Sequence, residues 1–190
     1  EVNNRTIAVT GVGANSFSVF MFDLIPCLDA VEKGQNFPLK LYEKIDDREK
    51  NELYENETIR DGYRVKDGIT DFGLKHFQDA YNNKAITKED VFYYVYGLLH
   101  SNDYRTRFAD NLSKELPRIP AVKQEADFWA FAEAGRKLGD LHVNYETAAL
   151  YPVTIVEGVL DEIVNDDPVS FYRVEKMRFG HHGGNHPVRD

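Results

Sequence analysis

Residues 87–100 read TKEDVFYYVYGLLH and open the segment, ending at Glu146, around which the rest of the chain is organised. Thr87 followed three positions later by Asp90 is typical of a helix N-terminus, where each side chain faces the other's backbone. Apolar residues then recur at the spacing of one helical face, and further aromatic residues widen that face. We therefore predict a helix that is buried on most sides.

Further helices are predicted around this one. The second helix of the segment carries one apolar stripe, formed by Tyr104, Phe108, Leu112 and Leu116. Pro117 ends it, because proline lacks a backbone N–H and disfavours helix at the preceding residue. The third extends over residues 124–144, where Gly135 and Gly139, one turn apart, predict a groove that another element approaches closely. A short amphipathic helix at residues 71–81 precedes all three.

Short β-like runs stand on both sides of the helices. The candidate strands are residues 6–10, 17–22 and 37–42 before them and residues 153–156 and 171–179 after them. Pro38 places the third run near a sheet edge, where a missing N–H is tolerated. The predicted fold class is α+β, with a block of three to four helices packed on a mixed or antiparallel sheet built from early and late strands.

Length and composition fit one globular domain over residues 1–190. With 42% hydrophobic and 13% aromatic residues the chain can bury a substantial core. No apolar run approaches the roughly 18 residues that a membrane span needs. The chain has no initiator Met and no signal peptide, which predicts a piece of a longer, cytoplasmic protein. The one cysteine, Cys27, excludes an internal disulfide and is expected to be a packed thiol.

Charge is unevenly distributed along the chain. The formal net charge of −9 argues against indiscriminate coating of nucleic acid, which rests on phosphate neutralisation. It leaves localised DNA binding open, because local charge sets the field at a surface. Residues 43–57 hold seven acidic and three basic residues, whereas residues 171–190 hold four basic and two acidic ones.

No catalytic motif stands out. Residues 11–13, Gly-Val-Gly after a strand, lack the third glycine of a dinucleotide loop, which favours a tight turn. The histidines within residues 181–186 fall in a glycine-rich stretch that is unfavourable to order around a metal. His100 and His142 lack an accompanying nucleophile motif, which favours helix-terminal or core positions. We predict no catalytic centre, metal site or cofactor in this chain.

The basic positions are more informative, because arginine presents a planar fork that fits phosphates and guanine edges. Arg105 and Arg107 open the second predicted helix. Arg118 lies between two prolines, which form a stiff turn that fixes where its guanidinium points. Surface salt bridges to neighbouring acidic residues remain the alternative for each of them.

Several stretches carry a family resemblance. They are residues 92–101 (FYYVYGLLHS), Tyr104-Arg105 with Phe108, residues 116–120 (LPRIP), residues 127–131 (DFWAF) and residues 141–146 (LHVNYE). Residues 9–13, 69–71 and 172–179 belong to the same ordered series. Together these stretches closely resemble the C-terminal specificity domain of Type ISP restriction–modification enzymes, and the resemblance covers nearly the whole chain.

This resemblance implies a target-recognition domain of a single-chain enzyme similar to Type I systems. In the family, an upstream nuclease, a helicase-like ATPase and an adenine methyltransferase share the chain with the domain that selects their DNA sequence. S-adenosylmethionine, ATP and Mg²⁺ would then belong to the upstream domains, and the enzyme would act in the bacterial cytoplasm. The family domain continues past the equivalent of Gly180, so we expect the present chain to be C-terminally incomplete.

The predicted function is non-catalytic, sequence-specific recognition of double-stranded DNA, with phosphate contacts setting the register and a few side chains reaching base edges. The predicted DNA-facing residues are Asn15, Arg105, Arg107, Arg118, Lys176 and Arg178. One alternative is a module that docks on the methyltransferase or helicase domain without base contacts, which accounts better for the acidic balance. The other is a small metal-dependent hydrolase that uses the C-terminal histidines beside carboxylates.

Overall fold

The computed structural model describes residues 4–27, 29–45, 59–149 and 169. The chain divides into two compact units, residues 1–148 and 149–190, and all elements named below belong to the first. The strands are β1 (Thr6–Val9), β2 (Val19–Phe22), β3 (Gln35–Pro38), β4 (Lys40–Lys44), β5 (Ile59–Arg60) and β6 (Tyr63–Asp67). The helices are α1 (Asp71–Tyr81), α2 (Lys88–Leu99), α3 (Asn102–Arg107), α4 (Ala109–Leu112) and α5 (Glu125–Val143), with a 3₁₀ turn at Tyr145–Thr147.

The strands form two three-stranded antiparallel sheets rather than one sheet. In the first, β1 lies between β2 and β3, so that Ile7 is opposite Met21 on one side and Phe37 on the other. In the second, β6 lies between β4 and β5. Helices and antiparallel sheets follow one another in separate blocks, which confirms the predicted α+β class.

The prediction of one strand at residues 37–42 is wrong, because the chain changes sheets at Leu39. The Leu39 N–H donates to the carbonyl oxygen of Arg5, and the Leu39 carbonyl accepts from Gly68, which follows β6. Pro38 ends an edge strand, as predicted. The late strands predicted at residues 153–156 and 171–179 lie outside the described residues.

Helices α2 and α5 form the centre of the helical block and cross at two glycines. A Cβ on Gly97 would lie 2.2 Å from the Phe131 carbonyl oxygen, and a Cβ on Gly135 would lie 2.0 Å from that of Tyr93. Only glycine fits at such a crossing. Further along α5, Gly139 lies against the Met21 side chain of β2, so the same helix face also contacts the first sheet. The close approach predicted from the glycine spacing is confirmed.

The core beneath this crossing is largely aromatic. Tyr94 and Phe128 are both fully buried and stack with ring centroids 4.8 Å apart, and Phe77 of α1 packs against both rings. The N-terminus of α2 has the predicted cap: Thr87 Oγ1 accepts from the Asp90 N–H, and the Asp90 carboxylate accepts from the Thr87 N–H. Polar caps and an apolar helix face thus agree on where α2 begins.

Two local predictions are wrong. The single helix predicted from Tyr104 to Leu116 is interrupted at Phe108, whose backbone leaves the helical region at φ −110° and ψ 19°. It ends at Leu112, where the Ser113 hydroxyl donates to the Asp110 carbonyl, a local bond that competes with helix. Cys27, expected to be a packed thiol, is exposed, since it follows β2 in a connection that the core does not cover.

Candidate functional site

The loop between β1 and β2, residues 10–18, is closed by its own backbone. The Thr10 N–H donates to the Ser18 carbonyl, and the Thr10 hydroxyl accepts from the Ser18 N–H. Gly13 has a φ of 78°, and Gly11 lies so near the Lys33 carbonyl that an added Cβ would be 2.0 Å from its oxygen. The tight turn predicted at residues 11–13 is confirmed.

Two charged residues brace this loop from outside. The Lys33 ammonium donates to the Gly13 carbonyl at 2.6 Å. The Glu32 carboxylate accepts from the Asn15 N–H at 3.0 Å and from the Asn15 side-chain amide at 3.2 Å. The amide of Asn15 is therefore exposed but already engaged by a carboxylate.

Arg105 of α3 faces the same loop from the helical block. Its Nε donates to the carbonyl oxygen of Leu99, the last residue of α2, at 2.7 Å, where a cation also complements the helix dipole. Its guanidinium carbon is 5.6 Å from the centroid of the Phe17 ring. Asn15 and Arg105 line one open depression of about 230 Å³ between the loop and helices α3 and α4.

Residues 116–122, named here the 116–122 strip, are held to the helical block by three tyrosine hydroxyls. The hydroxyls donate to carbonyl oxygens, from Tyr104 to Arg118 at 2.7 Å, from Tyr94 to Pro120 at 2.6 Å and from Tyr81 to Val122 at 2.8 Å. The donors belong to α3, α2 and α1, and the acceptors are two residues apart. This spacing is that of an extended chain bonded along one edge.

Side-chain exposure alternates along the strip with the same period. The outward positions are Leu116, Arg118 and Pro120, and the half-buried positions are Pro117, Ile119 and Ala121. Ile119 and Ala121 pack against the hydrophobic core. The strip therefore presents one row of side chains to solvent while the core and the tyrosines hold the other side.

Arg118 presents its guanidinium to solvent. Its side chain is 85% exposed, and its Nη2 lies 2.9 Å from a carboxylate oxygen of Glu115. Hydrogen bonds from Asn111 and Arg118 hold the pKa of Glu115 below its usual range. An exposed pair of this kind contributes little stability and is easily exchanged for another anion.

Arg107 is also exposed, and its guanidinium carbon lies 5.7 Å from the centroid of the Phe108 ring. Within the described part of the chain, no carboxylate pairs with it. Residues 101–123 as a whole hold five basic and three acidic residues, against a formal charge of −9 for the chain. The local charge around the strip is thus positive, which is the condition for attracting phosphates.

His100 and His142 form a separate aromatic cluster with Tyr96. Their ring centroids are 5.5 Å apart, and the Tyr96 hydroxyl bonds Nδ1 of His142. Burial, with the nearby Arg105 and His142, lowers the pKa of His100 to about 4. His100 caps the end of α2 and His142 lies in the last turn of α5, so both hold the helix-terminal positions predicted for them.

The chain matches the family described as the Type ISP C-terminal specificity domain over residues 1–188. It belongs to this family. No curated protein sequence matches the domain significantly.

Two solved structures resemble the specificity domain in fold and sequence. In the cryo-EM structure of a DrdV–DNA complex the match has 33% identity and a TM-score of 0.64, over 85% of this chain and 15% of that chain. The second structure is a nuclease-deletion mutant of the Type ISP restriction-modification enzyme LlaGI in complex with a DNA substrate mimic. The match to it has 30% identity and a TM-score of 0.54, and it covers 78% of this chain and 11% of that chain. The specificity domain therefore spans a small fraction of both proteins.

The fold brings some of the predicted site residues together. Asn15 and Arg105 share one depression, and Arg118 lines a second one, of about 180 Å³, on the other side of α4. Arg107 projects from the exposed side of α3. Lys176 and Arg178 lie outside the described residues, as do the histidines within residues 181–186. The DNA contacts of all six residues remain predictions.

Sequence reasoning missed two features of the specificity domain. Lys33, which holds the loop at Gly13, has a φ of 52°, and its only sequence signal is the Gly34 that follows. The sequence pattern predicts Tyr81, Tyr94 and Tyr104 only as packing residues, because a hydrophobic pattern does not show which acceptor a hydroxyl bonds. A sequence signal did exist in the strip to which they bond. Its prolines at 117 and 120 remove N–H groups and leave the strip unable to form regular secondary structure.

The described residues of the specificity domain lack two features found in other classes of protein. They contain no cluster of three or more metal-ligating side chains. None of their helices is long and apolar enough to cross a membrane.

Proposed function

We propose that this domain recognises a specific sequence of double-stranded DNA on behalf of a bacterial, cytoplasmic restriction–modification enzyme, and that it carries no catalytic centre. The observation that carries the proposal is the 33% identity over 85% of the chain to part of a protein solved with DNA, together with the family match. The positive local charge of residues 101–123 supports it, because phosphate binding depends on local rather than net charge.

The strip and the depression beside Arg105 are the surface that this function would use. Arg118 and Arg107 are exposed cations on neighbouring elements, and such cations contact phosphates that fix the register of a protein on the duplex. Asn15 at the depression would then be near base edges, once DNA displaces its bond to Glu32. S-adenosylmethionine, ATP and Mg²⁺ are assigned to the upstream methyltransferase and helicase–nuclease domains.

Sequence specificity is tested by competition. The full-length polypeptide is incubated with a labelled pool of randomised duplexes, and the bound fraction is sequenced, first with this domain and then with a homologous domain in its place. We expect a preferred sequence that changes with the domain. A preference that stays the same after the exchange would assign recognition to another part of the polypeptide.

Substitution of Arg118 by alanine tests its contact with phosphate. We expect weaker binding of all duplexes alike, and a slope of log affinity against log salt that is smaller by about one unit, because one fewer counterion is released. The matched control is Lys137→Ala, which removes an exposed cation paired with Glu133 on α5. A salt slope that Arg118→Ala leaves unchanged would remove Arg118 from the interface.

The docking alternative is favoured by one observation, the exposed apolar pair after β2. Leu24 and Ile25 are 77% and 98% exposed, beside the acidic Asp23. Such a pair fits a protein surface better than a phosphate backbone. Under this alternative, replacing both residues by serine would weaken the contact with the neighbouring domains, so that limited proteolysis releases this domain more readily. Exchanging the domain for a homologous one would leave the preferred DNA sequence unchanged.

A further inference from the structure

Tyr81, Tyr94 and Tyr104 each donate a hydroxyl to a main-chain carbonyl oxygen of the strip. Tyr94 and Tyr104 are 0% and 6% exposed, and Tyr81 is half-buried. Burial raises the pKa of all three phenols above the ordinary value of 10, so they are protonated and can donate at neutral pH. The strip is thus fixed by three hydroxyl donors.

We propose that Tyr104 is a positioning residue for DNA recognition, which holds the main chain of Arg118 so that the guanidinium meets a phosphate without prior ordering of the backbone. The inference rests on the function proposed above. Tyr94 and Tyr81 support the same strip at distances of two and four residues from Arg118. Their contribution to binding therefore decreases in that order.

The physical basis is preorganisation. Binding to a mobile loop loses affinity to the ordering of that loop, whereas a backbone fixed in advance leaves only the side chain to be ordered. Arg118 has this arrangement: its carbonyl is bonded, its neighbours Pro117 and Ile119 are half-buried, and its side chain is 85% exposed. The weak pair with Glu115 keeps the guanidinium beside the strip until a phosphate replaces the carboxylate.

The test compares Tyr104→Phe, Tyr94→Phe and Tyr81→Phe in the full-length polypeptide, with Tyr145→Phe as control. Each change removes one hydroxyl; the side chain of Tyr145 is 68% exposed, and its hydroxyl lies 3.4 Å from the adjacent Glu146 carboxylate rather than on the strip. The affinity for the preferred duplex and the urea midpoint of unfolding are both measured. We expect Tyr104→Phe to weaken binding about three- to tenfold, Tyr94→Phe less, Tyr81→Phe least and Tyr145→Phe not at all.

The losses of stability among the three Tyr→Phe variants should follow a different order from their losses of affinity. This difference distinguishes a role in positioning Arg118 from a role in folding. Tyr94 is the most buried of the three, so Tyr94→Phe is expected to lower the urea midpoint most. If the losses of affinity instead follow the losses of stability, or if Tyr104→Phe binds like Tyr145→Phe, the positioning role is overturned.

A double variant provides an independent check that does not depend on Tyr94. Since Tyr104 acts through Arg118, adding Tyr104→Phe to Arg118→Ala should change the affinity by less than about twofold. Additive losses would overturn the inference. A wild-type polypeptide that prefers no duplex would overturn the proposed function, and this inference with it. A selective wild type with additive losses would overturn this inference alone.

Discussion

At the scale of single residues, the half-buried ring of His100 lies at the end of α2, beside Arg105. Its Nε2 is buried with no hydrogen-bond partner among the described residues, and its Nδ1 lies 3.4 Å from Nη2 of Arg105. Because arginine can only donate, Nδ1 accepts and the single proton resides on Nε2. Burial disfavours the charged ring, and charging it would also place a cation beside Arg105; both effects lower the pKa of His100.

The domain should therefore lose stability in mild acid. The pKa of His100 falls from 6.5 to about 4 on folding, so protonation favours the unfolded chain, and stability decreases as the pH falls from about 6.5 to about 4. We expect a loss on the order of 2 kcal/mol from this residue. Urea unfolding at several pH values, compared with His100→Asn, measures it. The exposed His76 supplies the control, His76→Asn, which should retain the wild-type pH dependence.

At the scale of elements, the close crossing of α2 and α5 depends on the absence of a Cβ atom at two glycines. Gly97 and Gly135 let two backbones meet where any side chain would collide with a carbonyl oxygen. A backbone cannot move aside as the end of a flexible side chain can. The two helices must therefore separate to accommodate even one methyl group, and the aromatic core between them loses contacts.

Gly135→Ala should lower the free energy of unfolding by about 2–3 kcal/mol, although alanine is the better helix former. The control is Gly73→Ala in α1, where the added Cβ meets its nearest atom, Thr70 Oγ1, at 3.4 Å. That change should be neutral or raise stability by about 0.5 kcal/mol. Urea denaturation of both variants checks the pair, and equal effects would contradict the role assigned to the crossing.

Helices with capping signals or a long periodic pattern were predictable from sequence, whereas interruptions without a local signal were not. The predicted helix at residues 71–81 has the observed ends, because Thr70 caps it and Asn82 ends it in a left-handed conformation. The break at Phe108 carried no glycine or proline, so periodicity alone extended the helix to Leu116. The change of sheet at Leu39 likewise carried no sequence signal, because the two flanking strands together show the alternation of one longer strand.

At the scale of the whole molecule, one carboxylate ties the second sheet to the helices. Asp67 at the end of β6 accepts from Lys40 of β4 and, at 3.0 Å, from Lys88 at the start of α2. Lys88 also pairs with Asp71 of α1 at 2.6 Å. Although burial alone acts in the opposite direction, the two lysines hold the pKa of Asp67 below its ordinary value of 3.8.

Asp67→Asn should lower the free energy of unfolding by about 1 kcal/mol at neutral pH. Because the folded-state pKa of Asp67 is depressed, its contribution is present above pH 4 and is lost as the pH falls below that value, so wild type and variant converge in acid. Thermal unfolding at pH 7 and pH 3 measures this. Asp79→Asn, which removes an exposed pair with Lys84, should have little effect at either pH.

The site was less predictable than the fold, because it depends on contacts between distant parts of the chain. The stiff turn at Arg118 could be inferred from its prolines, but the tyrosines that hold it are 14 to 41 residues away. Likewise, Asn15 looked free in sequence, and the carboxylate that engages it follows 17 positions later. Local charge and turn chemistry identified candidate residues; only the fold shows which of them are already occupied.

The strip is anchored through its main chain, so its outward side chains can vary without losing the bonds that hold it. Every amino acid carries a carbonyl oxygen, so the tyrosines grip positions 118, 120 and 122 whatever side chains stand there. Replacements at the outward positions 116 and 118 would thus alter the chemistry presented to a ligand, while the three hydroxyl bonds to the main chain stay in place. A library randomised at these two sites should contain many well-folded members with new ligand preferences.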